Sequence, residues 1–296
     1  MNLQDLQYLL ALAKHKHFSR AAEACNVSQP TLSNQIRRLE KSLGVTLLER
    51  TNKRVTLTHV GNEILEHARA ALDRAREIEA IAMAARDPLV GPLRLGVIPT
   101  LAPYLMPLIL RPLRKKYPGL TLDLWEDQTH ALVDGLRSRQ LDAAILATPC
   151  TAPETTEIEL FREPLLAALP PDHLLARLPA LEENALRNDL LVLAEGHCLA
   201  NQALESCGFR SFPAHSPRNS MHAGSLETLV HLVAAGYGTT LIPALSADSL
   251  SRLGIVIIPF VHNPFRTIRL VSRPGFPRPQ ALRALEKVIR GAVPKA

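Results

Sequence analysis

Aromatic residues make up only 4% of this 296-residue chain. That scarcity disfavours a base-stacking platform for single strands or RNA. Cysteine is sparse too, at four residues. The start, Met1-Asn2-Leu3-Gln4-Asp5, has no basic stretch followed by an apolar core, so no secretory leader is read and a cytoplasmic location is expected. Four thiols in a chain of this length do not make a disulfide scaffold. In a reducing compartment they are bland, catalytic or redox-sensing. Long apolar runs are missing as well. The charge-free stretch 95–110 is interrupted by Pro99, Pro103 and Pro107, and 228–247 by His231, Gly236, Gly238 and Pro243. Both read as buried strand–turn–helix segments, not membrane spans. There is no glycine-rich phosphate loop and no HExxH pair. Neither a metal nor a cofactor is expected.

What is present is an ordinary globular composition, 47% hydrophobic and 21% charged, in a length that suits about two domains. The net charge of +6 is unevenly placed. Residues 1–58 hold nine basic residues against four acidic ones. A basic head on a near-neutral body points to a polyanion-binding end.

Within that head, Leu3, Leu6, Leu10 and Ala13 share one helical face, and Phe18, Ala21, Ala22 and Cys25 repeat the stripe. Asn26-Val27-Ser28 breaks it. Ser28 can cap the next helix, with Pro30 in the first turn where a missing N–H costs little. Leu32, Ile36, Leu39 and Leu43 form the buried stripe of that helix. Its other face shows Thr31, Ser33, Asn34, Arg37 and Arg38, with Gln29 at the tip. Two short helices joined by a tight turn, the second polar and basic outward, make a helix-turn-helix pattern. Amide, hydroxyl and guanidinium groups are what base edges and phosphates pair with. The following run, Arg50 to Thr58, reads as a hairpin turning at Asn52-Lys53, a wing with Arg50, Lys53 and Arg54 near the nucleic-acid backbone.

Residues 59–88 read as one long helix whose Val60, Ile64, Ala68, Ala71, Ala75, Ile78 and Ala82 form a seam for a partner helix. Asp87-Pro88 ends it. Beyond it, strand-like runs (Leu93–Val97, Leu120–Trp125, Ala143–Ala147, Leu190–Ala194, Thr239–Ile242, Val256–Pro259, Ile268–Ser272) alternate with helix-like ones (101–116, 129–139, Leu226–Ala235, 277–291). This alternation predicts α/β layers with ligands at the carboxyl ends of strands.

Several motifs are similar to those of one family. Phe18-Ser19-Arg20-Ala21-Ala22, Ser28-Gln29-Pro30-Thr31-Leu32-Ser33, Leu39-Glu40, Leu43-Gly44, Leu47-Leu48-Glu49-Arg50 and Thr58 resemble the LysR-type transcriptional regulators. The resemblance runs the length of the chain. It implies a winged helix-turn-helix over 1–58, a linker and dimerisation helix over 59–88, and an effector domain over 89–296. That effector domain would hold two α/β subdomains like those of periplasmic binding proteins, one about 89–163 with 267–296, the other about 164–266. The resemblance implies a regulator, not an enzyme. Its partners would be double-stranded DNA and a second copy through the linker helix, with two dimers on one extended site, a homotetramer. RNA polymerase is a further candidate partner.

A narrower likeness is to the peroxide-sensing branch of that family. It rests on Gly196-His197-Cys198-Leu199 with Cys207 nine positions on, on Ile98-Pro99-Thr100 and Gln128-Thr129-His130, and on Ser225-Leu226-Glu227-Thr228-Leu229 and Val233-Ala234-Ala235-Gly236. It implies that Cys198 reacts with hydrogen peroxide, that Cys207 resolves the product as a disulfide, and that oxidative-stress genes are controlled. Thr100, Thr129 and His197 would line the peroxide site, with Arg266 a candidate for added positive charge. Asn201 departs from the aspartate that such proteins often carry there.

The residues can support that chemistry. A thiolate forms a sulfenic acid that a second thiol captures, and His197 could donate to the thiolate or to the leaving oxygen. If 199–206 is helical, the two cysteines stand roughly 13 Å apart, whereas a disulfide needs Cα atoms within about 7 Å. The segment would have to unwind, and oxidation would select a second packing. Cys25 and Cys150 read as incidental. Two other classes stay open on the residues alone. One is a regulator answering a small metabolite in the intersubdomain cleft, where Thr100 and Thr129 would serve a carboxylate equally well. The other is a thiol peroxidase, which would leave the basic helix unexplained.

Overall fold

The computed structural model describes residues 1–50, 55–150, 152–153, 155–194, 196–208 and 223–293. The chain divides into two compact units, Met1–Ala82 and Met83–Ala296.

The first unit begins with α1 (Leu3–His15), α2 (Phe18–Ala24) and α3 (Gln29–Leu43). Asn2 and Asp5 form a reciprocal capping box at the start of α1, each side chain accepting from the other's backbone N–H at 2.9 Å. Ser28 caps α3 by accepting from Thr31 N. Leu6, Leu9, Leu12, Ala21, Ala22, Leu32, Ile36 and Leu39 are buried together. The expected α1 stripe is rotated. Leu6 is buried as read, but Leu9 and Leu12 complete the inner face, Leu10 and Ala13 flank it, and Leu3 is exposed. The reason is geometric. With leucines at five of ten positions, several helical faces are nearly equally apolar, and packing against α2 and α3 selects among them.

Next come β1 (Leu48–Arg50) and β2 (Val55–Leu57), an antiparallel pair with Leu48 opposite Leu57. The expected turn, including Lys53 and Arg54, lies outside the described residues. Glu40 Oε1 accepts from Leu47 N and Leu48 N, so α3 holds the hairpin's first strand. The helix α4 (His59–Arg86) follows. Thr58 Oγ1 accepts from Gly61 N in its first turn. A side chain at Gly61 would collide with Leu47 O at 2.2 Å, so only glycine fits there. Leu65, Ala68 and Leu72 pack into the unit's own core. The predicted seam is thus corrected at Ala68, which faces inward. Val60 and Ile78 of that seam remain 41% and 70% exposed.

The second unit contains β3 (Gly91–Val97), α5 (Ala102–Lys116), β4 (Leu120–Glu126), α6 (Thr129–Arg137), β5 (Ala143–Leu146), β6 (Thr156–Leu169), α7 (Cys198–Ser206), α8 (Leu226–Ala234), β7 (Thr240–Pro243), α9 (Ala247–Leu250), β8 (Val256–Pro259), β9 (Phe265–Ser272) and α10 (Pro279–Ala292). The sheet order is β4-β3-β5-β9-β6-β7, with β8 also paired to β6. β3 pairs in parallel with β4 and β5, as crossover helices require. β6 is antiparallel to β9 along its first part and to β7 and β8 along its last.

Two separate cores result. One gathers α5, α6 and α10 on β3, β5 and β9, including Leu95, Ile109, Leu132, Leu270 and Leu285. The other gathers Ala167, Leu186, Leu199, Val230, Ile242 and Ile258. The unit is therefore a pair of α/β subdomains crossed by β6 and β9.

The expected strand at Leu190–Ala194 is not formed. That extended segment makes isolated bridges, Leu190 to Thr239 and Leu193 to Ala223. Leu191 N donates to Thr239 O, while Ala194 N donates to Ala223 O. Its hydrogen bonds go to two different neighbours, so no continuous ladder builds up.

Candidate functional site

Two surfaces carry chemistry. On the first unit, Leu32, Ile36 and Leu39 anchor one side of α3 and turn the other outward. Gln29, Pro30, Thr31, Asn34, Arg37 and Arg38 are exposed there, and Ser33 is half-buried. Thr31 Oγ1 lies 2.7 Å from Ser28 Oγ, so the cap also orients this hydroxyl. Arg50 ends β1. The α3 residues read from sequence therefore share one helix, six of the seven of them exposed.

On the second unit, Cys198 is the first residue of α7 and Cys207 caps its other end. Gly196 precedes the helix at φ +96°, a conformation that favours glycine. A Cβ there would meet Gln128 Oε1 at 2.3 Å, so glycine also admits the close approach of Gln128. Cys198, half-buried, packs against the first core, whereas Cys207 is fully buried in the second. All four cysteines are free thiols.

A cavity of about 460 Å³ opens at Cys198. Thr129, His197, Asn201 and Gly196 line it beside the thiol, and His130, Val133, Asp134, Arg137, Thr148 and Pro149 extend it. Of the expected peroxide-site residues, Thr129 and His197 are on this wall. Thr100 and Arg266 are not, because they are bound to one another in the interior. Arg266 Nη1 donates to Thr100 Oγ1 at 2.8 Å, Nη2 donates to Thr100 O at 3.0 Å, and Nε donates to Glu163 Oε2 at 2.8 Å. This guanidinium is fully buried. It reaches Cys198 by its field, not by contact with the cavity.

Burial pushes the Cys198 thiol above its ordinary value. The positive charge of Arg266, the Thr129 hydroxyl and the backbone N–H groups opening α7 pull the other way without reversing the shift. Thr129 Oγ1 itself is buried without a partner at ordinary hydrogen-bonding geometry, yet near enough to Cys198 to favour its thiolate. Its proton is thus available to the sulfur once charged. Burial, reinforced by Glu183, pushes Cys207 up to about 11. Burial lowers the His197 pKa, opposed by its hydrogen bond to the Gly224 backbone. A ring with a lowered pKa beside Cys198 is suited to accepting the thiol proton.

The extending wall was not foreseen in the sequence, apart from His130 within a motif. Thr129, Val133 and Arg137 recur every fourth residue along α6, a spacing that places them on one face. Glu182, Glu183 and His262 are the group among the described residues whose donor atoms lie close enough to share a cation. His262 Nδ1 is 3.1 Å from Glu183 and 3.5 Å from Glu182, and their hydrogen bond and charges raise its pKa.

These two surfaces define a regulator that couples a helix-turn-helix to a two-subdomain sensing unit. Residues 3–62 match the model of the bacterial regulatory helix-turn-helix protein, lysR family, and residues 86–294 match the LysR substrate binding domain. The chain belongs to the LysR family. Within it, the chain is 43% identical over 294 residues to the DNA-binding transcriptional dual regulator OxyR of Escherichia coli, covering 98% of this chain and 95% of that protein. It is likewise 43% identical to the hydrogen peroxide-inducible genes activator of Haemophilus influenzae, over 94% of this chain and 92% of that one. Among solved structures it is similar to a full-length OxyR from Pseudomonas aeruginosa carrying a cysteine-to-aspartate substitution. There the TM-score is 0.74 at 37% identity, with 99% of each chain covered. It is also similar to a cysteine-to-serine variant of Corynebacterium glutamicum OxyR bound to hydrogen peroxide. That match has a TM-score of 0.66 at 35% identity, covering 98% of this chain and 92% of that one.

Proposed function

We propose that this protein is a cytoplasmic, DNA-binding transcriptional activator that senses hydrogen peroxide through a reversible Cys198–Cys207 disulfide and controls oxidative-stress genes. The observation that carries this reading is the position of the two thiols. One is at a cavity wall on the opening turn of α7, and the other is sealed in a different core at the far end of the same helix.

Peroxide enters the cavity, and the Cys198 sulfur attacks one oxygen. The O–O bond breaks, Cys198 becomes a sulfenic acid, and water leaves with the thiol proton. Neutral His197 takes that proton in transit. Thr129 donates to the developing thiolate, and buried Arg266, held by Thr100 and Glu163, favours it electrostatically. The Cys207 sulfur then attacks the sulfenic sulfur, the S–S bond forms and a second water leaves.

The domain plan is a winged helix-turn-helix over 1–58, the linker helix over 59–88 and the effector domain over 89–296. The effector domain divides at about 163/164 and 266/267. The exposed apolar side of α4 joins two copies, two such dimers make a homotetramer, and RNA polymerase is contacted from the bound DNA. Gln29, Pro30, Thr31, Ser33, Asn34, Arg37, Arg38, Arg50, Lys53 and Arg54 face the duplex. The protein consumes peroxide only stoichiometrically, as a signal and not as a substrate for turnover.

Mass spectrometry after stoichiometric peroxide tests this. Cys198 and Cys207 are expected to be linked, and the Cys198→Ser protein is expected to lose both the link and the change in DNA occupancy. A retained response in Cys198→Ser would remove the thiol from the mechanism.

A further inference from the structure

Glu182, Glu183 and His262 take no part in the sensing chemistry. No local spacing announces them as a group, since 79 positions separate His262 from Glu183. The backbone brings them together. Leu181 N donates to Pro259 O at 3.0 Å, and Val261 N donates to Leu181 O at 2.9 Å. This bridge fixes the residue before Glu182 against the residue before His262. Beneath it, Leu181 and Phe260 are buried in the second core. Glu183 then opens a 3₁₀ turn, Glu183–Leu186, and Leu186 is anchored in the same core. The donors are thus mounted on a packed base, while 57% of the Glu182 side chain and 68% of the His262 side chain stay exposed.

Their spacing is that of ligands around one small cation. Two donors each about 2.1 Å from a tetrahedral centre stand about 3.4 Å apart. His262 Nδ1 is 3.1 Å from Glu183 Oε2 and 3.5 Å from Glu182 Oε2. One donor atom from each of the three residues lies within 4.8 Å of the others. A second observation is independent of that spacing. Glu183 Oε1, the other oxygen of the same carboxylate, is buried and accepts no hydrogen bond at ordinary geometry. A buried carboxylate oxygen left unsatisfied calls for a counter-charge, and a divalent cation supplies one.

The geometry points to a binding site for a divalent first-row transition cation. His262 Nδ1 and the carboxylates of Glu182 and Glu183 are its protein ligands, and water completes the shell from the exposed side. One imidazole and two carboxylates, with no thiolate, suit zinc or manganese better than copper(I). The cation replaces the proton shared by His262 and Glu183. It ties the segment after β6 to the turn between β8 and β9, and so stabilises the subdomain that holds the second core. None of this depends on the peroxide-sensing reading.

The experiment is calorimetric titration of the full-length, metal-free, reduced protein with Zn²⁺ alone, alongside thermal unfolding with and without the cation. The protein is expected to bind a zinc ion that His262→Ala and, independently, Glu182→Gln lose or bind about tenfold or more weakly. Both side chains are largely exposed, so both variants keep the fold. Zinc is expected to raise the unfolding midpoint of the unsubstituted protein by more than that of either variant. Thiols also take zinc, but such sites persist in both variants and drop out of the comparison. Equal zinc binding in the unsubstituted protein and either variant would overturn the site. So would an unsubstituted protein that binds no zinc, which would leave the three residues as a hydrogen-bonded cluster only.

Discussion

Cys198 and Cys207 stand at the two ends of α7, the first against one hydrophobic core and the second inside the other. Nine helical steps separate their Cα atoms by roughly 13 Å, about twice the reach of a disulfide. Linking them needs Cys207 to leave its core and α7 to lose its helical form. The disulfide rate therefore contains the cost of opening α7. Ala203 is buried in the middle of that helix. Ala203→Gly weakens the helix by about 1 kcal/mol, so the linking step should accelerate about fivefold while sulfenylation of Cys198 keeps its rate. Rapid acid quench with mass spectrometry separates the two steps, and equal linking rates would show that α7 does not have to open.

The resting Cys198 thiol is held above its ordinary pKa by burial. Only the thiolate attacks peroxide, so the oxidation rate should climb about tenfold per pH unit up to that raised pKa and level off beyond it. Thr129→Val removes a hydroxyl that favours the thiolate and that otherwise lies buried without a partner. The reaction should slow about fivefold at neutral pH, the worth of one ordinary hydrogen bond, while urea unfolding stays the same or shifts upward by about 1 kcal/mol. Slower oxidation accompanied by a large loss of stability would instead assign Thr129 to packing.

Much of this arrangement was legible before the structure. The helix-turn-helix could be read because its capping serine, first-turn proline and apolar stripe are local signals at fixed spacing. The α3 face followed from them. The thiols and their helix were legible through motif likeness and the arithmetic of rise per residue. What could not be read depends on distant partners. β6 went unnoticed because its fourteen residues serve both subdomains, so its two halves face different surroundings and share no single alternation. The Leu190–Ala194 stretch has strand composition, yet its hydrogen bonds divide between Thr239 and Ala223. Motif likeness points Thr100 to the peroxide, and charge alone suggests Arg266. No local pattern signals that Glu163, more than a hundred residues away, turns Arg266 inward.

Asp142 is buried between Arg94 and Arg273, accepting from Arg94 N, Nε and Nη2 and from Arg273 Nε. Burial alone would raise its pKa, but the Arg94 hydrogen bonds and charge, with help from Arg273, bring it below the ordinary value. A carboxyl with a lowered folded pKa stabilises the native state above its unfolded pKa of about 4. That contribution is lost as pH falls through the lower, folded value. Stability measured by urea midpoint should therefore fall on acidification below about pH 4. Asp142→Asn should cost about 3 kcal/mol at neutral pH, since it removes a buried carboxylate charge shared by two guanidinium groups, and should flatten the acid limb. An unaltered acid limb in the variant would place the titrating group elsewhere.

Arg37 and Arg38 project from α3 on the side opposite Leu32, Ile36 and Leu39. An exposed guanidinium that neutralises a phosphate releases a condensed counterion, so each such contact adds about one unit to the salt dependence of binding. Arg37→Ala should weaken duplex binding and lower the log–log salt slope by about one, with similar losses on specific and unrelated sequences if the contact is to phosphate. A loss of about 1–3 kcal/mol confined to the specific site would instead mark a base contact. The fold should be indifferent to the change, because the residue is exposed and Leu32, Ile36 and Leu39 carry the packing. Fluorescence anisotropy across a salt series distinguishes these outcomes, and unchanged affinity with an unchanged slope would exclude Arg37 from the DNA interface.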